Sequence, residues 1–151
     1  MKTIEGDLIE LVKAGNFDVI VHGCNCQNTM EAGIAKAIKE QFPSAYLADQ
    51  ETEKGDRGKL GSYSSAKVEH QGNSFVIVNG YTQLDWRGNG VKVSYDAVQS
   101  LFCKIKNDFQ GKRIGYPLIG AGLAGGDWDI IDNIIDEQLM GEDHTLVIFK
   151  S

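Results

Sequence analysis

The chain is 151 residues long, 42% hydrophobic and 24% charged, and carries a net charge of −6 at pH 7. That length suits one domain, residues 1–151, around one core, and the acidic balance argues against non-specific nucleic-acid binding, which needs a basic face. No apolar run approaches the roughly 18 residues of a membrane span, and the opening Met-Lys-Thr-Ile-Glu-Gly-Asp lacks a signal-peptide core, so a cytoplasmic monomer without membrane contact is expected.

In chain order, strands are predicted over residues 2–5 and 18–22. Val19-Ile20-Val21 is apolar without alternation, as in a strand covered on both faces. A helix over 32–41 follows, with Ile34, Ala35, Ile38 and Phe42 on one stripe. Lys54, Arg57 and Lys59 read as a solvated loop. Strands over 61–68 and 74–79 precede a helix over 94–109, capped by Ser94, with Val98, Leu101, Phe102, Ile105 and Phe109 at helical spacing. A strand over 113–118 runs into a glycine-rich loop, 120–126. A helix over 127–139 then starts at Asp127 and sets Trp128, Ile131, Ile134, Ile135 and Leu139 on one face. The last strand is predicted over 145–149. Strands alternating with helices imply an α/β fold with a mixed or largely parallel sheet, whose ligand sits at the carboxyl ends of strands. Two loops fall there, one after His22 and one after Leu118.

The second of these loops is built for an anion. Glycines let main-chain N–H groups approach a phosphate, and the following helix adds the positive end of its dipole. No lysine lies in it, so backbone amides would hold the charge. Gly120-x-Gly122-x-x-Gly125 satisfies the dinucleotide fingerprint literally, but only one strand follows it, without a terminal acid, and no Gly-Lys-[Ser/Thr] of a P-loop occurs. The first loop is rich in amides. Asn25 can donate and accept at once, as sugar hydroxyls require, or can bond its own backbone in a turn. Cys24, Cys26 and Cys103 are an odd number, and Cys24-x-Cys26 lacks zinc-site spacing. Neither a metal nor a cofactor is expected, and Cys24 reads as a small buried apolar side chain.

Three stretches in order, Gly6-Asp7-Leu8-Ile9, residues 18–35, and Pro117 through Trp128, give the chain a resemblance to the macrodomain family, the ADP-ribose-binding module. It is most similar to small microbial and phage-type members that process ADP-ribose 1″-phosphate. The resemblance covers nearly the whole chain and implies a three-layer α/β/α fold around a central mixed, mostly parallel sheet. By position, it implies that Asp7, with Leu8 beside it, accepts a hydrogen bond from the adenine amino group. The alternative for Asp7 is a turn carboxylate or helix cap. Asn25 would hold the distal ribose. Ala32, Gly33 and Ile34 would form the first diphosphate loop, and Gly120, Ala121, Gly122, Leu123 and Ala124 the second.

The implied activity is hydrolysis of ADP-ribose 1″-phosphate to ADP-ribose and phosphate, in which Asn25 orients the sugar. His22 and Asp127 are the candidate proton-handling or water-orienting groups; the alternatives are a structural histidine and a helix cap. Two other functions are compatible with the resemblance. One is a hydrolase that frees ADP-ribosyl groups from protein or nucleic acid, or deacetylates O-acetyl-ADP-ribose; the other is a non-catalytic ADP-ribose reader. The chain departs from the family at Glu31 and Ala32, where consecutive glycines are usual, with the Glu31 side chain expected to turn outward. It departs again at Ala124, where the glutamate-demodifying branch carries an aspartate. Tyr81 and Tyr46 are candidates for stacking on adenine, and Trp128 for core or pocket wall.

Overall fold

The computed structural model describes residues 1–151. Six strands form one sheet in the order β1-β6-β5-β2-β4-β3: β1 (Lys2–Gly6), β2 (Val19–Asn25), β3 (Tyr63–His70), β4 (Asn73–Gln83), β5 (Ile114–Tyr116) and β6 (His144–Phe149). All neighbours pair in parallel except β3, which runs antiparallel to β4 on one edge. The mixed, mostly parallel sheet expected from the alternation of elements is therefore present.

Alternation along the strands sends side chains to two cores. Val19 and Val21 join Val78 and the apolar stripes of α4 (Tyr95–Asp108) and α5 (Trp128–Gln138) in a cluster of 16 buried residues. Ile20 and Ile77 face the other way, into a cluster of 12 buried residues shared with α1 (Leu8–Lys13), α2 (Gly33–Gln41) and α3 (Pro43–Gln50). The result is three layers, helices on both faces of a sheet. Burying an apolar side chain such as Leu101 or Phe102 contributes about 1.5–3 kcal/mol. Gly80 permits α4 to lie that close: a Cβ on it would stand 2.4 Å from Leu101 Cδ2. Ser94 caps α4 as expected, accepting from Ala97 N at 3.1 Å. No helix is long and apolar enough to cross a membrane.

Two helices were not predicted. α1 has six residues, too few to display a repeating stripe, and rests on its Asp7 cap. α3 begins on Pro43, which reads as a breaker but suits the first helical position, where its missing N–H costs nothing. Strands β2 and β4 also run further than predicted, to Asn25 and Gln83. Asn79-Gly80 looks like a turn, yet the Asn79 amide is satisfied within the sheet, donating to Ala45 O at 2.9 Å and to Ser64 Oγ at 3.0 Å.

Lys59 is not solvated. It is buried, with Nζ donating to Asn28 Oδ1 at 2.7 Å and Cys26 O at 3.2 Å and lying 4.8 Å from the Tyr81 ring centroid. It pins the loop that leaves β2.

Candidate functional site

Because β1, β2, β4, β5 and β6 are parallel, their carboxyl ends share one edge of the sheet, and a cleft runs along that edge. It consists of three abutting cavities of about 400, 330 and 370 Å³. The first and second share Gly33, Ile34, Pro117, Val147 and Phe149; the second and third share Gly23, Ala32, Ala35, Gln83 and Leu123. Asp7 lies at one end and Asn25 at the other.

At the first end, Asp7 caps α1 with one carboxylate oxygen: Oδ1 accepts from Ile9 N at 2.9 Å and Glu10 N at 3.3 Å. Oδ2 has no partner and remains an open acceptor in the cavity wall. The N–H of Leu8, at the first helical position, has no intrahelical acceptor. The cap and the acceptor are thus two oxygens of one carboxylate, and the alternatives read from the sequence are not exclusive. Phe149, 73% exposed at the end of β6 opposite Gly6, is the aromatic ring of this cavity. Tyr81 and Tyr46 are not part of the cleft. Tyr81 is buried, its hydroxyl donating to Asp49 Oδ1 at 2.7 Å, and Tyr46 packs on the outer core under Lys39.

The middle of the cleft is a bed of unpaired amides. Ala32 stands at the N-cap of α2 but offers no side-chain cap, and no protein acceptor takes the N–H groups of Gly33, Ile34 and Ala35. Across from them, the N–H groups of Gly120, Gly122, Leu123 and Ala124 are equally free. This second loop is closed by Gly126 N donating to Gly120 O at 2.7 Å, and it turns on Gly120, whose φ is +73°. Ala121 does not belong to the cleft wall: its N–H is spent on Leu118 O at 3.2 Å and its side chain packs on the core.

At the far end, Asn25 lines the third cavity while shaping its own loop. Nδ2 donates to Thr29 Oγ1 at 2.9 Å, and Oδ1 accepts from Gln27 N at 2.8 Å, leaving one lone pair on Oδ1. Gln83 pairs in register with Asn25; its Nε2 gives one N–H to Asp85 O at 3.1 Å, so Oε1 and the second N–H are uncommitted. Trp86 and Leu123, both exposed, form the rim. Glu31 lines this cavity with its carboxylate paired to Lys39 at 2.8 Å, which holds its pKa below the ordinary value.

His22 and Asp127 are not in the cleft. His22 is fully buried on the Ile20 face of β2, with Nε2 2.7 Å from Asn79 Oδ1 and Cys24 Sγ 3.6 Å away. Both Asn79 Nδ2 bonds are donations, so Oδ1 must accept, and the ring is the neutral tautomer protonated on Nε2. Burial drives its pKa down to about 4. Asp127 is exposed and caps α5, accepting from Asp129 N at 2.9 Å. Trp128 packs against the larger core rather than walling the pocket. Thr82, Gln83 and Phe149 were missed. Their signal was position, since each ends or nearly ends an apolar strand at the edge where ligands sit.

The Macro domain family model matches residues 21–135, and the chain belongs to this family. It is 36% identical over 141 residues to the uncharacterized 17.5 kDa protein in the tk-vs intergenic region of Enterobacteria phage T4, a match spanning 90% of this chain and 88% of that one. It is 41% identical over 46 residues to the ADP-ribose 1″-phosphate phosphatase of Aspergillus oryzae, 30% of this chain and only 21% of that protein. Among solved structures, a protein of unknown function from Bacteroides thetaiotaomicron superposes with a TM-score of 0.80 at 24% identity, over 97% of this chain and 96% of that one. Thermosipho africanus DarTG in complex with ADP-ribose superposes with a TM-score of 0.75 at 17% identity, over 98% of this chain and 42% of that one. At such identities the structural likeness concerns the fold.

Proposed function

We propose that the cleft binds ADP-ribose and that the protein hydrolyses ADP-ribose 1″-phosphate to ADP-ribose and phosphate. One observation carries the reading: a double row of free N–H groups, from α2 and from the second loop, lies between an open carboxylate oxygen at Asp7 and the paired amides Asn25 and Gln83. That order matches adenine, diphosphate and distal ribose. Oriented amides can neutralise a diphosphate without a side-chain cation, which suits a chain of net charge −6. Phe149 offers a ring face to adenine. The partial match to named ADP-ribose 1″-phosphate phosphatases and the ADP-ribose complex of a structural neighbour support the same ligand.

Hydrolysis adds water to phosphorus, breaks its bond to the sugar oxygen and returns a proton to that oxygen. The amide bed would hold the ligand, and Asn25 and Gln83 would orient the distal sugar and water. A second reading, a non-catalytic ADP-ribose reader, draws on the same geometry: Glu31 is the one ionisable carboxylate of the far cavity, and it is already paired with Lys39. Phosphate release from ADP-ribose 1″-phosphate, with ADP-ribose calorimetry on the same sample, separates the two. Turnover lost in Asn25→Ala supports the phosphatase; binding without turnover leaves the reader; absence of binding removes both.

A further inference from the structure

Thr82 occupies the penultimate position of β4, one residue before Gln83, and is 1% exposed. Its backbone is used, the carbonyl accepting from Ser94 N at 2.8 Å. Its hydroxyl is not: Thr82 Oγ1 is buried and has no hydrogen-bond partner in the protein. A buried hydroxyl left unpaired is costly, and an acceptor brought beside it recovers that cost. The side chain lies on the α4 and α5 face of the sheet, against Gly23, where an added Cβ would stand 2.9 Å from Oγ1. It lines the middle cavity, between the free amides of α2 and those of the second loop.

The chemistry of that cavity identifies the partner. Of its 16 lining residues, Thr82 and Gln83 have the only polar side chains, and none is charged. Gln83 Nε2 gives one of its two N–H groups to Asp85 O. Seven of the lining residues, three from α2 and four from the second loop, carry a backbone N–H without an acceptor in the protein. Such a space favours an anionic oxygen, and the Thr82 hydroxyl is the one side-chain polar group of the lining with no partner at all. We propose that Thr82 is a ligand-binding residue whose hydroxyl donates a hydrogen bond to a phosphate oxygen of the bound diphosphate. The inference rests on the reading of the cleft as an ADP-ribose site and adds the side chain that recognises the anion.

Thr82→Val removes the hydroxyl and keeps the shape; Thr82→Ser keeps the hydroxyl. ADP-ribose and inorganic pyrophosphate are titrated into wild type and both variants, and thermal unfolding of each empty protein is recorded. Thr82→Val is expected to be at least as stable as wild type, since an unpaired buried hydroxyl is lost, yet to bind ADP-ribose about tenfold or more weakly. Thr82→Ser is expected to bind within about threefold of wild type. Wild-type affinity in Thr82→Val overturns the proposal, as does a loss of binding in both variants that follows a loss of stability. If wild type binds no ADP-ribose, the proposed function fails separately and pyrophosphate decides. Pyrophosphate binding that needs the hydroxyl keeps the inference; binding that Thr82→Val retains, or no pyrophosphate binding at all, overturns it.

Discussion

Replacing Asp7 by Asn separates two duties that one carboxylate performs. Oδ1 caps α1 through Ile9 N and Glu10 N, and Oδ2 is the open acceptor of the cavity. Asn is about as good an N-cap as Asp, so its carbonyl oxygen can keep the cap. The lost charge–dipole attraction at the helix start costs about 0.3–1 kcal/mol. The other arm becomes an NH2 group, which meets the adenine amino group donor to donor. Losing a hydrogen bond to a charged acceptor costs about 1.5–3 kcal/mol, a weakening of roughly 10- to 150-fold in Kd. The guanine analogue of ADP-ribose presents a carbonyl where adenine has its amino group, so preference between the two should narrow or reverse. Calorimetry with both nucleotides and a thermal melt give the answer, with Asp7→Ala as the control that loses cap and acceptor together, the cap being worth about 1 kcal/mol. Wild-type ADP-ribose affinity in both variants would refute the placement of adenine at this end.

Two other perturbations test the frame around the cleft. His22 has a folded pKa of about 4 against an ordinary 6.5, so between those values the unfolded chain binds the proton and the folded chain does not. Its contribution is therefore complete above about pH 6.5 and is lost as pH falls toward 4, by about 3 kcal/mol in full. Urea unfolding of His22→Gln across that window should show a flatter stability curve than wild type, and an unchanged slope contradicts the neutral, Asn79-bound ring. Gly120→Ala forces a Cβ onto a backbone at φ +73° and sets it 2.6 Å from Val93 Cγ2 and 3.1 Å from Ile131 Cδ1. A destabilisation of about 1–3 kcal/mol is expected, with weakened ADP-ribose binding; a melt and titration unchanged from wild type would mean that the second loop does not depend on this turn.

Much of the scaffold was legible because its signals are local. The run Val19-Ile20-Val21, the stripes of α4 and α5, and the caps Ser94 and Asp127 each depend on neighbours within a few residues. The same holds for the glycine loop: Gly120 and Gly125 both adopt positive φ, as a tight anion-binding turn requires. Motif order placed Asp7, Gly33 and Gly122 on the two loops and the first strand end, and those residues do line one cleft.

Contacts between distant residues decided the rest. Whether His22 faces the cleft depends on which side of β2 receives α3 and the Asn79 amide, 57 positions away. Lys59 is buried because the chain returns it to Asn28 and Tyr81, contacts that a loop-like composition does not announce. Thr82 and Gln83 gained their places when β4 paired with β2, which sets Gln83 beside Asn25 and Thr82 against Gly23. Periodicity, capping and turn chemistry are properties of a short window and survive in the sequence alone. Strand order, the face a strand-end side chain takes and the absence of a partner for a buried hydroxyl are properties of the assembled sheet, and only the tertiary structure contains them.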